Sequence, residues 1–525
     1  MAFFDLHCHP GLKTLFLPQD GNQLSVWRDI SPPDHVIGDI LESQCSFKQI
    51  IQEGEVNLVC LTLYPPEIGI LDQFLLKIGS IVFQGLIDRN RLEEMATLTV
   101  SYQEVFFQEF ANITAGPGIE DQIDPAKKIK FLQRWADYDA KDADTLHVVF
   151  NFEGGHAFYD LKNKIKNIEN VIRNFNAFID KGYKVLYLTP AHLTPNEFMT
   201  HAYGNKLLSK GPLLPKGIGI TAYGKRLMVN ALKKNVLIDV KHMSLVSRRI
   251  FYKYRKQNFP DLPIIASHIG LAGESWTVFT SNRGIINPRK KSYGYKVAWL
   301  KNRGELEGTY FFPLSINFYN EDIREILESN GLIGISMDVR ILGGKGNPSD
   351  LHKDFYSHEE YELLTSARAN EKIEELFEHF DAGDIDNGNL MLKTINPEPQ
   401  EIDDLRAVDE ELTEIFSTYK KEVNAIEYKH HIRLVVNQLI RIWQITDWEG
   451  MSHPWDNICI GSDFDGLIET LQCCRNSTAF ASFAQALKVE LASVLLAYPK
   501  IEHSAAEIID KFMFKNGSAF LEKWF

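Results

Sequence analysis

Apolar residues in this chain gather in short, nearly unbroken runs separated by stretches with helical spacing. The runs are Phe3–Leu6, Val56–Leu63, Leu146–Phe152, Val185–Leu188, Val236–Val240, Pro263–Ala266, Leu332–Ser336 and Asn457–Ile460. Short aliphatic and β-branched runs bounded by polar turns read as strands covered on both faces, the condition of a parallel sheet. Between two of them, Glu169–Lys181 places Val171, Ile172, Phe175, Phe178 and Ile179 on one helical face and stops at Gly182. Thr221–Lys234, ending at Asn235, and Glu321–Asn330, ending at Gly331, repeat the pattern. Eight strands alternating with helices predict an α/β fold, a (β/α)8 TIM barrel, whose chemistry gathers at the C-terminal face of its strands.

The 525 residues exceed one average domain, but a decorated barrel holds them as a single unit, residues 1–525. Three connections are too long for simple crossovers and read as insertions, at about 65–145, 270–315 and 338–427. The last is acidic: Leu351 to Lys420 carries 19 Asp and Glu against 6 Lys and Arg, nearly all of the chain's net charge of −14. It reads as a solvated helical insertion. No basic stripe is left to neutralise phosphates, so nucleic acid is not an expected partner. No apolar run is long enough to span a membrane. No basic-then-apolar leader precedes the first strand, so a cytoplasmic protein is expected. The six cysteines form no CxxC pair and read as buried small hydrophobes in a reducing compartment.

Ionisable residues fall at the ends of the predicted strands. The first run leads into His7-Cys8-His9, and residues i and i+2 of a strand share a face. The third ends in Glu153-Gly154-Gly155-His156. The fifth runs into Asp239-Val240-Lys241-His242, the sixth into Ser267-His268, and the eighth into Gly461-Ser462-Asp463-Phe464-Asp465-Gly466. Each alone has a bland explanation, as a hydrogen-bonded structural histidine or a turn-forming aspartate. Together they bring imidazoles and carboxylates to one barrel face, where buried charge needs compensation that a metal supplies. Imidazole and carboxylate without thiolate suit Zn2+, with Mn2+, Fe2+ or Co2+ as alternatives. Four histidines and two carboxylates exceed one tetrahedral site and fit two ions sharing a carboxylate, Glu153 being the natural bridge.

At this point the sequence resembles the membrane (renal-type) dipeptidase family of the amidohydrolase superfamily. The matching pieces are Glu153-Gly154-Gly155-His156, Gly182 to Thr189, Ile238 to His242, Ile265-Ala266-Ser267-His268, Ile460 to Gly466 and Asn516 to Phe520. The resemblance implies two Zn2+ per chain. One is held by His7 and His9 and the other by His242 and His268, with Glu153 bridging and Asp463 as the catalytic aspartate at the metals. It implies a metallopeptidase that cleaves the amide bond of dipeptides or similar small amides through a metal-bridged hydroxide. Asp463 acts as base and then acid, and the enzyme is a homodimer. A substrate-contacting histidine follows the fourth strand in the family; His192 fills that role here after a two-residue shift, with His201 as the fallback. Two departures stand out. The family's His-x-Asp is His7-Cys8-His9 here. The family's carboxylate-binding arginine falls on Ile316, for which Arg283 is a candidate substitute. Alternatives are an amidohydrolase for a small amide or lactone lacking a C-terminal carboxylate, a barrel phosphoesterase, and a non-catalytic metal-binding relative.

Overall fold

Each predicted apolar run forms a strand in the computed structural model. It describes residues 2–16, 25–30, 42–71, 88–119, 121–159, 168–204, 213–279, 286–291, 293–344, 346–382, 425–448, 450–451 and 455–525. The strands are β1 (Phe3–Cys8), β2 (Val56–Leu63), β3 (Thr145–Glu153), β4 (Val185–Thr189), β5 (Leu237–Ile238), β6 (Ile265–Ile269), β7 (Leu332–Ile335) and β8 (Ile458–Ile460). The first five pair in parallel in chain order, and β6, β7 and β8 form a second parallel sheet, also in chain order. The protein is thus α/β with parallel sheets at its centre. The two sheets meet at both edges through single parallel bridges. Asp239 pairs with Ile265 beyond the end of β5, and Cys8 at the end of β1 pairs with Phe464 beyond the end of β8.

All eight strands contribute to one apolar cluster. Phe4 and Leu6, Leu58 and Cys60, Val149, Leu186 and Tyr187, Leu237, Ile265, Leu332 and Cys459 meet there with Phe520 and Leu521 of the terminal helix Asn516–Trp524. The outer faces of the strands pack into a larger cluster with the flanking helices, which explains why the strands read as continuous apolar runs. The terminal helix comes close enough to β1 that a Cβ on Gly517 would lie 2.0 Å from the Phe4 ring, itself fully buried. Gly517→Ala is expected to destabilise the fold by about 2 kcal/mol, since overpacked cores yield only by displacing buried neighbours. A denaturant midpoint unchanged from wild type would contradict this packing.

The helices that follow β3, β4 and β6 match their sequence patterns with small shifts. Ile168–Ile179 ends at Gly182, which takes the left-handed conformation. Ala222–Lys233 is capped by Thr221 Oγ1 and followed by left-handed Asn235. Asn320–Glu328 stops two residues short of the predicted end, because Asn330 rather than Gly331 takes the left-handed turn.

The insertions hold more sheet than their sequences announce. The first contains helices Arg89–Ala96 and Tyr102–Thr114 and a short strand, Lys128–Phe131, that adds in parallel to β3. The second and third are joined: Gly294–Trp299 pairs antiparallel with Ile286–Lys291 and with His352–Tyr356. The segment expected to be acidic and helical therefore begins as a strand. Helices His358–Leu364 and Ala369–Ala382 follow, and residues 383–424 lie outside the described ones. The six cysteines are buried and unbonded. Among the described residues no helix is long and apolar enough to cross a membrane.

Candidate metal centre

The register of β1 against β2 slips between Asp5 and Cys8. Strict alternation would put His7 on the side opposite Leu6; with the slip, Leu6 joins the inner apolar cluster and His7 still faces inward above it. Asp5 stabilises the irregularity by accepting from the backbone N–H groups of His7 and Ser462. Burial raises the Asp5 carboxyl to about 6, against the pull of its Ser462 hydrogen bonds. Cys8 points away, into the outer core.

Glu153 is the last residue of β3, and Gly154 after it has φ 89°, a left-handed conformation suited to glycine. The two Glu153 oxygens serve different histidines. Oε2 lies 3.3 Å from His9 Nε2 and 3.7 Å from His7 Nε2; Oε1 lies 3.2 Å from His242 Nε2 and 3.8 Å from His268 Nε2. Asp463 closes the other side, with Oδ1 3.3 Å from His9 Nε2 and Oδ2 3.9 Å from His268 Nε2. Within each pair the imidazoles are close, His7 to His9 at 3.0 Å and His242 to His268 at 3.1 Å between Nε2 atoms. His242 and Asp463 both sit at φ above +60°, strain that non-glycine residues tolerate only where the surroundings hold them.

Hydrogen bonds on the far side of two rings assign their tautomers. The Tyr187 hydroxyl donates to the Leu6 carbonyl at 3.0 Å, so at 2.7 Å from His7 Nδ1 it accepts. Ser267 Oγ donates to Asp239 Oδ2 at 2.6 Å, so at 2.8 Å from His268 Nδ1 it accepts as well. His7 and His268 therefore carry their protons on Nδ1 and turn bare Nε2 lone pairs inward. Burial, with the neighbouring His192 charge, lowers His242 to about 3, and burial carries His268 well below the usual range, so both are neutral. Burial also opposes charge on His9, but Asp463 and Glu153 raise it to about 10. Bare lone pairs and carboxylate oxygens thus converge at separations that only positive charge between them makes favourable, and the donor set fits divalent cations. The groupings close enough to share an ion are His7 with His9 and Asp463, His7 with Glu153 and His268, and Glu153 with His192 and His242.

His192, three residues beyond β4, points Nε2 at Glu153 Oε2 from 3.8 Å, while its Nδ1 lies 2.9 Å from Glu67 Oε2. Glu67 also accepts from the Leu193 backbone and from the Tyr64 hydroxyl. Burial works against both charges. Even so, His192 holds Glu67 well below the carboxylate range, and Glu67 and Glu153 raise His192. Glu67 carried no motif; its one signal is position, a carboxylate four residues past β2, at the strand ends where the other site residues fall. Glu67→Gln is expected to leave metal content unchanged and lower kcat about 10- to 100-fold, the usual cost of removing the partner that orients a site imidazole. Unchanged turnover would show that His192 works without it.

His201 stands apart, fully buried with Nε2 3.1 Å from the Leu213 carbonyl. His156 likewise turns to the Pro65 carbonyl at 2.8 Å. Of the two aspartates in the last motif, Asp465 faces away from the cluster. It accepts from Lys13 and from the backbone of Gln44 and Cys45, tying down the loop after β8. Ile316 is buried, and Asn317 beside it donates to the Ile341 carbonyl at 3.0 Å. Arg283 lies outside the described residues.

The fold and the cluster together define an α/β protein with convergent imidazole and carboxylate ligands at the C-terminal ends of parallel strands. No family model and no curated protein matches the sequence. Among solved structures, the chain is similar to the probable dipeptidase PvdM from Pseudomonas aeruginosa. The TM-score is 0.51 and the identity 13%, over 100% of this chain and 95% of that one. It also matches a metallo peptidase from Rhodobacter sphaeroides liganded with a phosphinate mimic of the dipeptide L-Ala-D-Ala, at TM-score 0.48 and 13% identity over 100% and 99% of the two chains. A third match is the dipeptidase AC, a metallo peptidase of family M19, at TM-score 0.46 and 13% identity over 99% and 98%. At such identity the likeness is one of fold, and the resemblance read from the motifs stands at that level.

Proposed function

We propose that this protein is a dinuclear metal-dependent hydrolase that cleaves the amide bond of dipeptides or similar small amides. The observation that carries the reading is Glu153. One carboxylate, rigidly placed at a strand end, offers separate oxygens to two histidine pairs, His7 with His9 and His242 with His268. The two sheets, joined by bridges at both edges and sharing one inner apolar cluster, are read as a closed (β/α)8 barrel that presents this cluster at its mouth.

His7, His9, Glu153 and Asp463 would hold one ion, and His242, His268 and Glu153 the other, with Zn2+ the best match to the donors. Such ions, when bound, supply a lowered water pKa and polarisation of a carbonyl oxygen. The chain supplies the rest. Asp463, its backbone N–H fixed on the His7 carbonyl at 2.9 Å, accepts a proton at its carboxylate and returns it to the leaving amine. His192, whose hold on a proton Glu67 and Glu153 strengthen against burial, donates toward the oxygen that gains charge as the amide carbon becomes tetrahedral. Tyr187, Thr62 and Ser267 fix the rings from behind, so the ligand set is preorganised.

Zinc-reconstituted protein offered dipeptides, lactones and nitrophenyl phosphate is expected to turn over the dipeptides, with kcat/KM on the order of 10⁴ M⁻¹s⁻¹ or above. Preferential hydrolysis of the phosphate ester, or of lactones with no amide cleavage, would contradict the reading.

A further inference from the structure

The two seams between the sheets carry the same hydrogen-bonded clamp. At the seam of β8 and β1, Asp5 Oδ1 accepts from the backbone N–H groups of His7 at 3.2 Å and Ser462 at 2.9 Å, and Oδ2 accepts from Ser462 Oγ at 2.5 Å. At the seam of β5 and β6, Asp239 Oδ1 accepts from the N–H groups of Lys241 at 3.1 Å and Ser267 at 3.0 Å, and Oδ2 accepts from Ser267 Oγ at 2.6 Å. Both aspartates and both serines are buried. Each aspartate thus ties its own strand to a serine across the seam, where the two sheets share a single bridge.

The twin clamps differ in what the serine meets next. Ser462 Oγ accepts from Phe464 N at 3.0 Å and lies 3.3 Å from the His7 carbonyl, both backbone groups. Ser267 Oγ instead lies 2.8 Å from Nδ1 of His268, a ring of the metal cluster. Asp239 is also the more fully engaged carboxylate, because its Oδ2 takes a second hydroxyl, Thr189 Oγ1, at 2.6 Å. Burial raises the Asp239 carboxyl, and the Ser267 and Thr189 bonds are the largest influences against it. With its hydrogen committed to Asp239, Ser267 Oγ has only a lone pair to offer His268.

We infer that Asp239 is a positioning residue for one of the two ions: acting through Ser267, it holds the His268 proton on Nδ1 and keeps Nε2 free to ligate. This rests on the proposed dinuclear centre and adds the residue that readies one half of it. The isosteric Asp239→Asn shows why a carboxylate is needed. The N–H groups of Lys241 and Ser267 can only donate, so the asparagine carbonyl must face them, and its NH2 turns to the two hydroxyls. Ser267 then receives a hydrogen where it gave one, and its own turns to His268 Nδ1. The ring answers by carrying its proton on Nε2, the atom that faces Glu153 Oε1 at 3.8 Å and that an ion requires bare. The same change at Asp5 reverses no bond to a ring, since Ser462 turns its hydrogen to the His7 carbonyl.

The test is NMR of the ring nitrogens in metal-free protein carrying isotope-labelled histidine, with the His268 signals identified by their loss in His268→Gln, followed by zinc titration against a competing chelator. Wild type and Asp5→Asn are expected to show His268 protonated on Nδ1, and Asp239→Asn to show it protonated on Nε2. In the titration, Asp239→Asn should weaken one ion about 10- to 100-fold and spare the other, the usual cost of losing an outer partner of a ligating histidine. His268 still protonated on Nδ1 in Asp239→Asn, or zinc bound there as tightly as in wild type, would overturn the proposal. So would the same tautomer change in Asp5→Asn, because seam packing in general would then account for it. The expected tautomers with fewer than two ions bound by wild type would sink the dinuclear centre and leave the relay from Asp239 standing. If Asp239→Asn does not fold, Ser267→Ala, which removes the acceptor for Nδ1–H, carries the comparison. A wild-type tautomer and wild-type zinc affinity in that variant would overturn the proposal.

Discussion

Asp463→Asn is expected to retain two metal ions per chain and to lose about 10³-fold in kcat, within the range for removal of a positioned general base. The fold should survive, because asparagine tolerates the left-handed backbone that residue 463 adopts at φ 62° and keeps the backbone N–H bond to His7. Its one side-chain oxygen can take the place of Oδ1 beside His9 in exchange for the Oδ2 contact with His268, and the histidines and Glu153 are untouched, so most of the ligand set persists. What disappears is the proton acceptor. A variant that keeps its metal and turns over at near wild-type rate would remove Asp463 from the chemistry.

Glu153→Gln attacks the bridge itself. The replacement has the same size, but its amide nitrogen cannot ligate, so one of the two histidine pairs loses its shared oxygen. Metal affinity is expected to fall by well over the ~100-fold that follows loss of an outer partner, with activity falling in step. Folding should be less affected. Burial resists ionisation of Glu153 and the neighbouring His192 charge is the largest influence that keeps it ionised, so a neutral residue sheds a desolvation cost that partly offsets the attraction it forfeits. Equal metal content in Glu153→Gln and wild type would show that the carboxylate is a structural partner of the histidines and not a bridge.

The central strands were legible because both their faces are buried, which leaves nearly unbroken apolar runs. The same logic put His268 and Glu153 at strand ends, and both are found in the cluster. His7 and His9 were placed by simple alternation, yet β1 reaches the cluster through a register slip that no residue pattern announces. The strand Lys128–Phe131 was missed because it is partly solvated, with both its lysines exposed and its two apolar residues only half-buried. The joining of the second and third insertions was missed because it pairs segments more than fifty residues apart. Asp463 and Asp465 share one short motif; only the fold separates the residue facing three histidines, His7, His9 and His268, from the one that ties down Lys13 and Cys45. Glu67 was invisible for a related reason. It acts through a contact made across the chain, to His192, and sits in no recurring pattern.

The central claim is that Glu153 joins two ions into one centre, and metal content measures it most directly. The purified protein, stripped with a chelator, reloaded with excess Zn2+ and desalted, should carry two zinc ions per chain by elemental analysis, and Glu153→Gln fewer than two under the same treatment. One ion per chain, or none, in the reloaded wild-type protein would contradict a dinuclear centre.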